Sequence, residues 1–190
     1  FVAERMPYNG GQSMLRLKVI FMLFLISTLT VVGCSSDEDK KADHFNKGLA
    51  YFEKGKFKSA RLEFKNAIQI DPKYVDAYIP LAETFMKLGN LQNAFKVYAK
   101  IAELDPDNID AQLKLATFLM LGRKVDESRE KVAFVLAKEP ENVEALMLLA
   151  GIHDSENRPD EAAALFEKVI ALDRNRAPAY MALARVYQRQ

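Results

Sequence analysis

The sequence predicts an all-α fold, a solenoid of antiparallel helix pairs, from three observations. Proline recurs every 34 residues at Pro72, Pro106 and Pro140, and each time it follows an acid, Asp71, Asp105 or Glu139. Small residues recur at the same interval in two columns: Gly48, Ala82, Ala116, Ala150 and Ala184, and Ala60, Ala94, Ser128 and Ala162. Between them run apolar stripes at helical spacing, such as Leu81, Leu115, Leu149 and Leu183, marking one buried face per helix. Helix pairs too small to bury that face alone become stable by stacking on their neighbours.

Residues 1–13 show neither period nor core, and we read them as an upstream extension with Met14 as initiator. Residues 14–33 are built like a signal peptide, with Arg16 and Lys18 ahead of an uncharged run at 19–33. A membrane-spanning helix needs about 20 apolar residues, so this run is short for a permanent anchor. Val31-Val32-Gly33-Cys34 resembles the lipobox of bacterial lipoproteins, which implies lipidation of Cys34. The alternative is an incidental Cys in a short transmembrane anchor. Two or three acyl chains together would tether the protein stably, at roughly 0.8 kcal/mol per buried methylene. Residues 34–40 then comprise the lipidated Cys and a polar linker, Ser35-Ser36-Asp37-Glu38-Asp39-Lys40. Ser rather than Asp after the Cys resembles lipoproteins sent to the outer membrane, which implies its periplasmic face over the inner membrane.

Four units follow at 41–74, 75–108, 109–142 and 143–176, and residues 177–190 supply the first helix of a fifth unit or a cap. We expect helices near 41–54, 57–70, 75–88, 91–104, 109–121, 125–138, 143–155, 159–172 and 177–189. Small residues in the Gly48 and Ala60 columns let the two helices of a unit approach closely, since a larger side chain would hold the axes apart. The bulky series Phe64, Tyr98, Val132, Phe166 and Tyr51, Phe85, Leu119 fill the space between units. Asp-Pro and Glu-Pro end each second helix, because Pro cannot continue it and restricts the residue before it. Asp76, Asp110 and Glu144 then sit in the next first turn, where the macrodipole favours negative charge. Gly55, Gly89 and Gly122 mark the turn inside three units, and Asn157-Arg158-Pro159 makes it in the fourth. The first unit departs from the columns at His44 and Lys47, and the fourth at Arg174 in place of Pro. Tyr180, Leu183 and Tyr187 are expected to pack on the fourth unit as a rough cap, and we read the chain as a fragment of a longer array.

Over residues 41–190 these columns resemble the tetratricopeptide-repeat family, whose period is 34 residues. The resemblance implies a right-handed α-α superhelix with a concave groove lined by first-helix residues. Carried across by column, one groove series is Phe45, Ile79, Leu113, Met147 and Met181. Further along the helix come Leu49, Glu83, Thr117, Gly151 and Arg185, then Phe52, Met86, Met120, Asp154 and Gln188. These series are largely apolar and Met-rich, which suits adaptable contact with a protein or an apolar peptide segment. The alternative is that they pack on the neighbouring first helix. The family's Lys/Asn/Arg clamp on a terminal carboxylate is not provided by Phe45, Leu49, Ile79 and Asp110, so that ligand is disfavoured.

Composition narrows the function. The chain has 190 residues, 27 basic against 26 acidic, a net charge of +1 and one cysteine. A neutral chain lacks the clustered Lys/Arg that nucleic-acid binding needs to displace counterions. One cysteine excludes a disulfide framework and a Cys-based zinc site. His44 and His153 lie in non-adjacent units and cannot share a metal, and His153 occupies the Tyr51 packing column. Glu127, Glu130 and Glu161 read as solvated charge. No phosphate loop or nucleophile signature is present, so neither catalysis, cofactor nor small-molecule substrate is expected. The reading is a non-enzymatic, lipid-anchored scaffold that supports assembly or export at the bacterial envelope. It is similar to repeat lipoproteins of exopolysaccharide, protein-sorting and pilus-assembly systems. The alternative is a spacer or self-association module without a dedicated ligand.

Overall fold

The computed structural model describes residues 36–189. The expected leader, lipobox and Cys34 lie outside the described residues. Among the described residues there are nine α-helices: α1 Asp37–Glu53, α2 Phe57–Ile70, α3 Val75–Lys87, α4 Leu91–Leu104, α5 Ile109–Leu121, α6 Val125–Lys138, α7 Val143–Ser155, α8 Pro159–Leu172 and α9 Ala177–Arg189. Each packs on the helix before and after it, and the main contacts between non-sequential helices join first helices, α1 with α3 and α5 with α7. The first helices therefore form one layer of the superhelix.

Close approach inside each unit rests on the small columns. Ala60, Ala82, Ala94, Ala116, Ala150 and Ala162 are wholly buried, and Ser128 Oγ donates across the pair to the carbonyl of Ala116 at 2.8 Å. At Gly48 a Cβ would stand 2.5 Å from Cε1 of Phe64, so the ring occupies the space a methyl would need. Phe64, Tyr98, Val132 and Phe166 are buried on the facing helices. Burial pushes the Tyr98 phenol up to about 12, which keeps it neutral across physiological pH.

The turns between units are held by side chains as well as by Pro. Asn108 and Asn142 cap α5 and α7 by accepting from the backbone N–H of Ala111 and Ala145. Their amides in turn donate to Asp105 and Glu139, at 3.1 and 2.7 Å, so the acids before Pro106 and Pro140 orient the cap of the next helix. The carbonyl at Pro72, Pro106 and Arg174 accepts from Tyr78, Gln112 and Tyr180, six residues on. Leu146 breaks that column, and Lys168 of α8 reaches the Pro140 carbonyl instead at 3.5 Å.

Three features differ from the sequence reading. α1 begins at Asp37, inside the residues read as linker, because Asp37, Glu38 and Asp39 favour a helix N-terminus and Lys41 pairs with Glu38 and Asp71. That pair, together with the N–H of Lys73, holds the Asp71 carboxyl below its ordinary range. Second, the turn inside the third unit does not need its glycine at Gly122. The positive-φ position is filled by Gly55 and Gly89 in the first two units, but by Arg123 and Asn157 in the others. Third, Leu183 packs into the core of the fourth unit, whereas Tyr180 and Tyr187 reach that unit through their hydroxyls, which donate to the Arg174 carbonyl and to Glu167, and stay half-exposed.

Two stability measurements check these packing arguments. Gly48→Ala should lower unfolding free energy by about 1–3 kcal/mol through overpacking, and Phe64→Val, copying the side chain at Val132, should recover part of the loss. Arg123→Gly should raise stability by about 0.5–1 kcal/mol, the relief of a left-handed side chain less the extra freedom of Gly in the unfolded chain. Urea denaturation followed by helical circular dichroism reads both.

Candidate protein-binding groove

The first-helix layer carries a pocket of about 260 Å³ bounded by three successive first helices. Leu113, Lys114 and Thr117 come from α5, Glu144, Met147 and Leu148 from α7, Arg176 from the turn before α9 and Pro178 from its first turn. Leu113 is 5% exposed and forms part of the floor with Met147 and Leu148. Thr117 Oγ1 donates to the Leu113 carbonyl at 2.9 Å, as a helical hydroxyl does one turn back. The charged rim is loosely paired: Arg176 lies 3.5 Å from Glu144, and Lys114 lies 3.7 Å from Asp110. Such exposed pairs cost little to exchange for an incoming charge. An apolar floor beneath exchangeable charges can receive a bulky side chain and fix the polar groups on either side of it.

Of the residues assigned to the groove by column, the structure brings Leu113, Thr117 and Met147 together. Glu83 and Met86 lie exposed on α3, and Met181 is 67% exposed on α9. Phe45, Leu49, Phe52 and Ile79 are half-buried and pack into clusters around Phe64, Phe85 and Tyr98. Phe45 stands 5.3 Å from the Tyr74 ring and Phe52 stands 5.4 Å from Phe57, both edge-on. Met120 packs against Val132 and Val135 with their neighbours. Lys114, Glu144, Leu148, Arg176 and Pro178 were missed. Lys114 and Leu148 share a column one residue beyond the groove series, which is the signal that could have found them.

His44 Nδ1 lies 2.6 Å from Glu63 of α2, which ties the two helices of the first unit together. His153 is half-buried, and its Nδ1 has no partner. Burial, assisted by Arg158, holds its pKa below the ordinary value, so the ring is neutral at pH 7. Among the described residues no three His, Cys, Asp or Glu side chains are grouped to hold a metal. None of the described helices is long and apolar enough to cross a membrane.

No curated protein matches the chain by sequence. Solved structures match it by shape. MamA from Desulfovibrio magneticus superposes with a TM-score of 0.72 at 18% identity, covering 80% of this chain and 85% of that one. Pseudomonas aeruginosa PilF gives 0.65 at 22% identity, covering 82% and 71%. YrrB, described as a TPR protein with an unusual peptide-binding site, gives 0.66 at 19% identity, covering 75% and 73%. The description "TPR repeat" matches residues 48–89, and "Tetratricopeptide repeat" matches 85–150 and 123–186. With its period, its paired helices and these matches, the chain belongs to the tetratricopeptide-repeat family.

Proposed function

We propose that the protein is a non-enzymatic scaffold that holds a partner protein in the groove across α5, α7 and α9 and supports assembly or export at the bacterial envelope. A lipid on Cys34 tethers it to the periplasmic face of the outer membrane. The observation that carries the binding role is the pocket itself, a preformed concavity to which three units contribute. Its apolar floor and exchangeable rim suit a peptide segment with a bulky apolar residue beside charged ones. The anchor rests on Arg16, Lys18 and the Val31-Val32-Gly33-Cys34 motif.

Self-association is the second reading, favoured by Tyr180, Met181 and Tyr187, three large apolar side chains exposed on α9. A dimer in sedimentation velocity that is lost with Met181→Asp would select it.

Thr117→Arg places a long charged side chain over the pocket from an exposed position. Co-purification from solubilised membranes should recover partners with the wild-type chain, and this variant should bind them about tenfold or more weakly at unchanged helicity. An identical set of partners at undiminished affinity would reject the groove. Cys34→Ser should abolish acyl labelling and release the protein from the membrane, and a labelled, membrane-bound Ser variant would reject the anchor.

A further inference from the structure

The repeat supplies its own comparison at the seam between one unit's second helix and the next unit's first. Between α6 and α7 that seam is closed by an ion pair from Arg129 to Glu156, the residue just past α7. The same two columns hold Arg61 and Leu88 between α2 and α3. Between α4 and α5 they hold Phe95 and Gly122. With no side chain at 122 and a ring at 95, this seam opens into a notch of about 410 Å³. Phe95 and Phe118 meet edge-on at 6.0 Å among its walls, and Leu91 and Leu121 stand on the rim at 48% and 72% exposure. Leu121 also breaks its column, which is Lys87 and Ser155 elsewhere.

The backbone gives no reason for glycine there. Gly122 has φ −79°, close to the −83° of Leu88 and the −91° of Glu156 in the same column. A Cβ at 122 would meet only helix carbonyls at 3.4 and 3.5 Å, ordinary contact. The strained conformation falls one residue later, on Arg123 at φ 59°, where the first two units place glycine. Local rules are thus broken at Phe95, Leu121, Gly122 and Arg123, all around one opening, which is the pattern of a functional surface rather than of packing.

We propose that this notch is a second docking surface, which takes an amphipathic helix of a partner protein. A cavity of roughly 150 Å³ holds one benzene-sized group, so the notch accommodates two bulky apolar side chains, spaced one helical turn apart. Lys124 is the only charged residue lining it and no carboxylate does, while Arg123 is exposed alongside. The exposed Lys124–Glu127 pair, at 2.8 Å, is readily exchanged. The occupant therefore carries acidic residues flanking its apolar pair. A concave opening is filled by protruding side chains and not by a flat bilayer. The notch shares no residue with the groove pocket, so the two surfaces can be occupied together.

Phe95→Arg with Gly122→Glu transplants the ion pair of the α6/α7 seam and closes the notch, and Leu121→Lys copies Lys87 as an independent exposed change. Random peptides about four helical turns long are selected by phage display on the full chain, then measured by fluorescence anisotropy. The expected consensus has two large apolar residues a turn apart with flanking acids. Affinity should fall at least about tenfold in both notch variants and hold in Thr117→Arg. Failure to enrich any peptide, or selected peptides that bind both notch variants as tightly as the wild type, would overturn the proposal. So would binding to phosphatidylglycerol vesicles that Leu121→Lys abolishes, since that would assign the notch to a membrane.

Discussion

The distance between the two helices of a unit is the constraint on which the rest of the structure depends. Alanine at 82, 116 and 150, facing Ala94, Ser128 and Ala162, leaves no side chain thick enough to separate the axes. The Ser128 hydroxyl reaches a backbone carbonyl of the partner helix directly, which is possible only at close approach. With the pair drawn together, Tyr98, Val132 and Phe166 enclose the core, and the first helices form the inner layer. Groove and notch both follow from that stacking, because each is a space left between units and not within one.

Apolar burial is non-directional, and polar contacts set how each unit sits on the last. Asp105 and Glu139 each orient an Asn that caps the next helix, and the carbonyls of Pro72 and Pro106 take a donor six residues on. Where Leu146 cannot donate, Lys168 does so from another helix, and Arg174 without its Pro still offers the carbonyl to Tyr180. The acceptor persists where the donor and even the Pro change, so the bond rather than the residue is what the seam requires.

Part of the groove was legible because a residue that repeats at 34 meets the same neighbours in every unit. Leu113, Thr117 and Met147 could be placed on one surface by that rule. Phe45, Leu49 and Phe52 occupy the same columns but pack into the cluster of Phe64 and Phe85, and Ile79 packs into that of Tyr98. A column specifies a direction on a helix, whereas exposure depends on the bulk of whatever faces it. Arg176 and Pro178 were illegible for another reason: they line the pocket from the turn before a third helix and from its first turn, and only the curvature of the stack brings them to Leu113.

Sequence by itself determined that the repeat region is all helical, how it divides into units, and which residues share a core. Those properties depend on spacing along one helix and between consecutive ones, and spacing is what a sequence records. Tertiary structure decided that Asp37 opens the first helix, that Arg123 and not Gly122 bears the left-handed turn, and that one seam of the array is open. Backbone angles and gaps arise from how neighbouring units press on each other. A residue missing from a seam leaves no mark in its own column until the facing column is set against it.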